Sequence, residues 1–153
     1  MSEQYIVRPM TLEDVDGVFA VERESFAMPW PEAMFEEELK NPLAQYLVME
    51  NAGQIIGYAG FWLVIGEAQV TNIALLEICR GKGFGKILVE ALVALAQTAQ
   101  ADSMVLEVRK SNLVAQKLYE NLGFLPCGIR EKYYLDNNED AVLMQKKLGG
   151  ENE

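Results

Sequence analysis

The chain has 153 residues, half of them hydrophobic and 24% charged, a composition that fits a folded domain and excludes a disordered one. It contains no histidine, which excludes Ser-His-Asp and Cys-His nucleophiles, histidine general bases and His-ligated zinc. Its two cysteines, Cys79 and Cys127, cannot build a four-ligand metal site or a disulfide framework, and the net charge of -10 disfavours bulk binding to nucleic acid or an anionic membrane.

The charge is unevenly spread. Residues 1–50 carry 3 basic and 11 acidic side chains, whereas residues 80–132 carry 8 basic and 5 acidic. A cationic substrate near the first region and an anionic ligand near the second would suit this pattern, and so would a solvated acidic helix face. The opening Met1-Ser2-Glu3-Gln4 has no apolar run of the kind a signal peptide needs, and no stretch reaches the roughly 20 apolar residues of a membrane span. These features lead to the expectation of a cytoplasmic protein without nucleic-acid or membrane partners.

In chain order, Tyr5–Arg8 reads as a short strand closed by Pro9. Thr11 with Asp14 resembles a capping box at the start of a helix carrying Val15, Val18, Phe19 and Glu22 at helical spacing. Phe26 to Pro31 is a loop with two prolines, and Pro31 suits the first turn of a second helix through Phe35 and Leu39. Glu36-Glu37-Glu38 reads as its solvated face. Tyr46–Glu50 and Ile55–Trp62 flank Asn51-Ala52-Gly53-Gln54 as a hairpin. Gly66-Glu67 turns into a third strand, Ala68–Leu75. A long amphipathic helix follows through Ile87, Leu88, Ala91, Leu92, Leu95 and Ala96. Met104–Arg109 is a strand, and Ser111-Asn112 caps a helix with Ala115, Leu118, Tyr119 and Leu122 that Gly123 ends. A strand near Phe124 to Ile129, with Cys127 buried in it, a loop from Tyr133 to Asn138 and a last strand Ala141–Met144 complete the pattern. The fold class is α/β: a single-domain, mixed, mostly antiparallel central sheet flanked by helices. Residues 1–149 form the domain and 150–153 a flexible tail.

The segment Arg80-Gly81-Lys82-Gly83-Phe84-Gly85-Lys86 lies between a strand and a helix. Glycines let backbone amides crowd together at a positive helix N-terminus, and with three cations they form a cradle for a pyrophosphate. The segment lacks the Gly-Lys-Ser/Thr of a nucleotide-hydrolysing loop and the spacing of a dinucleotide fingerprint.

Glu107 is a candidate general base. It shares a strand face with Val105 and Arg109, opposite Met104, Leu106 and Val108. Poor solvation there would favour its protonated form, although the residues alone favour an ion pair with Arg109 two positions along. Tyr119 is a candidate acid, a phenol one turn past Ala115, or a packed aromatic.

Arg80-x-x-Gly83-x-Gly85 resembles the acetyl-CoA loop of the GNAT N-acetyltransferase family. With Met28-Pro29-Trp30, Asn72–Leu75, Leu106–Arg109, Ser111-Asn112, Leu118–Phe124 and Tyr133-Tyr134, the resemblance extends over most of the chain and is strongest to the ribosomal-protein alanine subgroup of N-terminal acetyltransferases. Leu135 departs from the Pro or Ala that the subgroup has after its tyrosine pair. The resemblance implies direct acetyl transfer from acetyl-CoA, without metal, to the N-terminal α-amine of a basic ribosomal protein. It implies Glu107 as base and Tyr119 as acid, and acetyl-CoA contacts from the backbone of Ile73, Ala74 and Leu75, from residues 80–86 (Arg80, Gly81, Lys82, Gly83, Phe84, Gly85 and Lys86) and from Asn112. It implies that Trp30, Tyr133 and Tyr134, read as loop aromatics, surround the substrate N-terminus. The competing readings are acetylation of a small amine or lysine side chain, a non-catalytic acetyl-CoA-binding module, and an anion-binding domain unrelated to CoA.

Overall fold

A computed structural model of the chain describes residues 5–149; the expected tail at 150–153 and the opening Met1–Gln4 lie outside them. The elements are β1 (Tyr5–Pro9), a 3₁₀ turn (Leu12–Asp14), α1 (Val15–Ser25), α2 (Glu32–Leu39), β2 (Ala44–Asn51), β3 (Gln54–Val64), β4 (Glu67–Leu75), a second 3₁₀ turn (Glu77–Cys79), α3 (Phe84–Thr98), β5 (Ser103–Arg109), α4 (Leu113–Asn121), β6 (Leu125–Tyr134) and β7 (Glu139–Lys147). The strands form one seven-stranded sheet in the order β1-β2-β3-β4-β5-β7-β6. β4 and β5 run parallel, while the pairs β1–β2, β2–β3, β5–β7 and β6–β7 are antiparallel. This is the mixed, mostly antiparallel sheet with helices that the pattern of elements implied. Among the described residues, no helix is long and apolar enough to cross a membrane.

The chain falls into two compact units, one of residues up to 62 with Thr71–Leu92 and the other of Leu63–Val70 with residues from 93 onward.

In the first unit, the Asp14 carboxylate accepts the Thr11 N–H at 2.8 Å and pairs with Arg8 at 2.8 Å, fixing the turn into α1. The capping pair thus starts a 3₁₀ turn that runs into α1, and Pro31 stands one residue before α2 instead of inside it. α1 buries Val15, Val18, Val21 and Glu22 along one stripe, in a core with Phe35, Tyr46, Val48 and Tyr58. Each fully buried valine contributes roughly 1.5–3 kcal/mol of transfer free energy. The β2–β3 turn has Ala52 at φ 53° and Gly53 at φ 85°, the left-handed pair that a two-residue hairpin requires. Glu38 corrects the solvated-face reading: it is 8% exposed and accepts hydrogen bonds from Tyr46 Oη at 2.6 Å and Trp62 Nε1 at 2.7 Å.

In the second unit, β5 alternates as expected, with Met104, Leu106 and Val108 buried and Val105, Glu107 and Arg109 half-buried. β6 extends through Tyr133 and Tyr134, which corrects their assignment to a loop; the turn begins only at Leu135. β6 is the edge strand, exposed along most of its length, so its sequence carries no period-two pattern to mark it. Cys127 is exposed on this edge, contrary to its expected burial.

Candidate active site

In the first unit, the glycine loop has the backbone its composition implied. Gly81 and Gly83 adopt φ 77° and 86°, and a Cβ on either would meet nothing within 4 Å, so the space above both is open. α3 starts at Phe84, and the N–H groups of its first turn have no helical acceptor. Lys82 and Lys86 are exposed, with no ion-pair partner among the described residues. The amides and cations therefore suit a polyphosphate. Two side chains of the loop face elsewhere. Phe84 is 4% exposed and packs edge-on against Tyr5 at 5.7 Å, so only its backbone is open to a ligand. Arg80 turns back, donating from Nε and Nη2 to the Leu75 carbonyl at 3.2 and 3.0 Å, which closes the end of β4.

The paired stretch of β4 with β5 covers Glu67↔Ser103 to Gln69↔Val105, and Ile73, Ala74 and Leu75 lie beyond it. Just before them the alternation of β4 breaks. Thr71 Oγ1 meets Tyr46 Oη at 3.0 Å, and Asn72 Nδ2 donates to Tyr58 Oη at 2.7 Å. Tyr46 and Tyr58 share one sheet face, since Tyr46 opposes Gly60 and Tyr58 opposes Val48. Consecutive residues thus reach the same face, which a regular strand does not allow.

Trp30 does lie in a loop, but it is half-buried: its ring packs on Phe35 at 5.4 Å and its N–H donates to Glu22 Oε2 at 2.8 Å.

In the second unit, Glu107 keeps 24% side-chain exposure and pairs at 3.3 Å with Arg130 of β6. The solvent-starved environment expected of it is absent, and its partner is not Arg109. Arg109 and Arg130 both flank Ala141 of β7, which is fully buried and short enough for the Arg130 side chain to cross toward β5. Arg109 is instead held by Asp136 at 2.9 Å and Glu139 at 3.1 Å, and lies 4.1 Å over the Tyr134 ring. Glu139 also accepts the Ser111 N–H at 2.6 Å. Hydrogen bonds from Ser111, with those from Arg109, hold its carboxyl down at about 2.

Tyr119 is 8% exposed, packs edge-on to Phe124 at 5.8 Å, and has no hydrogen-bond partner among the described residues. Burial alone raises its phenol to about 12. Tyr134 is also pushed to about 12, first by burial, then by Tyr133, with Glu107 and Tyr119 adding to the rise and Arg109 opposing it. Tyr133 is raised by burial and by Glu107, while Arg130 opposes. Glu107, Tyr119, Tyr133 and Tyr134 therefore share one electrostatic neighbourhood. Asn112 is the N-cap of α4, its Oδ1 accepting the Ala115 N–H at 3.1 Å.

The profile of the acetyltransferase (GNAT) family matches residues 15–124. The chain belongs to the GNAT family. A Bacillus subtilis protein provisionally named ribosomal protein bS18-alanine N-acetyltransferase is 45% identical over 145 residues, covering 94% of this chain and 96% of its own. The Escherichia coli ribosomal protein bS18-alanine N-acetyltransferase is 32% identical over 133 residues, covering 86% and 89%. A crystal structure of the E. coli ribosomal-protein-S18-alanine N-acetyltransferase superposes with a TM-score of 0.88 at 29% identity, covering 98% of this chain and 99% of that one. As a GNAT protein the chain is an acetyl-CoA-dependent N-acetyltransferase.

The sequence places Glu22 on the helix stripe and offers Arg109 as a partner of Glu107, but it assigns neither the role found here, and it singles out neither Tyr58 nor Arg130. The signal for Glu22 was present, since it follows Val18 by four positions on the buried stripe of α1. Arg130 gave none, because its meeting with Glu107 depends on the β5-β7-β6 strand order.

Proposed function

We propose that this protein acetylates the N-terminal α-amine of a ribosomal protein that begins with alanine, in the cytoplasm, with residues 1–149 acting as one acetyltransferase domain. The observation that carries the proposal is the 45% identity over 94% of the chain to a relative named for that reaction. The acidic first third of the chain, with 11 acidic against 3 basic residues in positions 1–50, suits a basic protein substrate.

Bound acetyl-CoA supplies an acetyl thioester, whose C–S bond is exchanged for the C–N bond of an amide. The amides of residues 81–86, with Lys82 and Lys86, receive its phosphates. The backbone of Ile73, Ala74 and Leu75 and the side chain of Asn112 receive its pantetheine arm. Glu107 takes the proton that the α-ammonium must lose before it can attack, directly or through one water. Tyr119 gives its proton to the departing thiolate and regains one from the nitrogen, which sheds its second proton, directly or through water, as the tetrahedral intermediate collapses to the amide; a phenol titrating at about 12 remains protonated throughout the neutral range and so is available to donate. Trp30, Tyr133 and Tyr134 receive the first residue of the peptide.

The test is product analysis by mass spectrometry after mixing the protein with acetyl-CoA and a peptide beginning Ala-Arg. One acetyl on the α-amine is the expected result. Acetylation of free lysine or spermidine in preference to the peptide would overturn the substrate assignment. Binding of acetyl-CoA with no transfer to any of these amines would point to a binding module.

A further inference from the structure

Glu22 is 2% exposed, and no cation pairs with it among the described residues. A carboxylate buried in this way is costly unless its oxygens are satisfied. Its Oε1 accepts from Tyr58 Oη and, at 3.1 Å, from Asn72 Nδ2. Its Oε2 accepts the backbone N–H of Trp30 at 2.8 Å. That third bond is unusual in its context. Trp30 stands between Pro29 and Pro31, neither of which has an N–H, so its amide is the single backbone donor of the three residues. The donor is directed inward to Glu22, while the two prolines limit the backbone on either side. The ring of Trp30 is held by a second route: it packs on Phe35 at 5.4 Å, Phe35 meets Tyr58 edge-on at 5.5 Å, and Tyr58 returns to Glu22.

We infer that Glu22 is a positioning residue that fixes the backbone and ring of Trp30, and thereby the first-residue binding of the peptide. The inference rests on the proposed role of Trp30 in receiving the substrate N-terminus. Glu22 touches no reacting atom; it acts through the loop it anchors. A carboxylate suits the task because one oxygen can hold the loop amide while the other holds two donors from the sheet, and bonds to a charged acceptor are stronger than neutral ones.

The test compares Glu22→Met, which keeps the length of the side chain and removes both acceptors, with Tyr58→Phe, which removes a core hydrogen bond but leaves the Trp30 amide bonded. Glu22→Gln, which keeps one acceptor, covers the case in which Glu22→Met does not fold. Steady-state kinetics are read with the alanine peptide and with acetyl-CoA. In parallel, the protein is labelled with 5-fluorotryptophan, whose two ¹⁹F resonances, Trp30 and Trp62, are assigned with Trp30→Phe. Glu22→Met raises the peptide KM about tenfold, the worth of one hydrogen bond to a charged group, with kcat and the acetyl-CoA KM within about twofold. It shifts the Trp30 resonance and leaves that of Trp62 in place. Glu22→Gln moves both readouts in the same direction by less. Tyr58→Phe, which cuts only the route through the ring and leaves the Trp30 amide bonded, lowers the melting temperature, shifts the Trp30 resonance by less than Glu22→Met does, and leaves the peptide KM within about twofold. An unchanged peptide KM and Trp30 resonance in the Glu22 variants, or an equal rise of KM in Tyr58→Phe, overturns the inference in favour of a purely structural carboxylate. Failure of the wild-type protein to acetylate the alanine peptide would strike the substrate assignment alone, and the Trp30 resonance would still decide whether Glu22 holds the loop.

Discussion

The guanidinium of Arg130 on β6 lies 3.3 Å from the carboxylate of Glu107 on β5, reaching across β7 to the group proposed as general base. A substrate α-ammonium brought to Glu107 meets a carboxylate that already has a cation. Because the two side chains keep 55% and 24% of their exposure, water screens the pair and its worth is small, up to about 1 kcal/mol. Arg130→Ala is therefore expected to lower the peptide KM by a factor of up to about five while leaving the melting temperature nearly unchanged. Titration of peptide KM in both proteins checks this, and a raised KM in the variant would mean that Arg130 assists binding.

The roles proposed for Glu107 and Tyr119 differ in what their loss should do. Glu107→Gln keeps shape and hydrogen-bonding reach but cannot take the ammonium proton, so kcat falls about 10²–10⁴-fold, the usual contribution of a positioned general base. Tyr119→Phe removes a hydroxyl that has no partner among the described residues, so the fold loses little while the thiolate loses its donor. Acetyl-CoA affinity, measured by calorimetry, should stay within about twofold in both variants. Unchanged turnover at saturating peptide in either variant would reject the role given to that residue.

The ease with which each feature could be read from sequence follows the range of the interaction that makes it. The β2–β3 hairpin is legible at Gly53, whose φ of 85° is one that glycine adopts freely, although the positive φ at Ala52 has no such signal in its side chain. The N-cap at Asn112 and the alternation of β5 are equally local. Tyr133 and Tyr134 carry no strand signal because they end an exposed edge strand whose register shifts between Arg130 and Tyr134, with Lys132 at φ 53° between them. The shift removes the alternation that would reveal a strand. Glu38 looked like one of three solvated glutamates, yet it follows Phe35 by three positions, on the buried side of α2, and Tyr46 and Trp62 supply its donors from other strands. The partners of Glu107 and Arg109 were unreadable for the same reason: Arg130 and Glu139 meet them only through the sheet order.

The glycine loop makes a prediction that separates strain from steric fit. At Gly83 an added Cβ has open space but φ is 86°, a region that costs a non-glycine residue about 1–2 kcal/mol. Gly83→Ala will either carry that strain or rotate the loop amides away from the position that receives the phosphates. The expected result is an acetyl-CoA KM raised about tenfold with the peptide KM unchanged. If acetyl-CoA KM is unaffected while the melting temperature falls, the loop geometry serves the start of α3 and not the ligand.

Burial of Tyr119 predicts a specific alkaline instability. Its phenol titrates at about 12 in the fold against 10.0 when exposed, so the neutral form is the one the native state favours. The sign follows: the contribution is complete below pH 10 and is lost as the pH rises from 10 toward 12, because the unfolded phenol releases its proton first. The linkage amounts to about 1.4 kcal/mol lost by pH 11. Tyr46 and Tyr58 are raised as well, by burial and by Glu38 or Glu22, so the wild-type protein should lose more than this. Those contributions are common to wild type and Tyr119→Phe, and the difference between their urea-unfolding free energies isolates Tyr119. That difference should be flat from pH 7 to 9 and then move in favour of the variant by about 1.4 kcal/mol at pH 11. A difference that stays flat to pH 11 would show that the phenol is hydrated in the fold. A hydrated phenol would also lack the dry surroundings in which a proton donor acts most strongly on a nearby thiolate, so the same titration bears on the catalytic role of Tyr119.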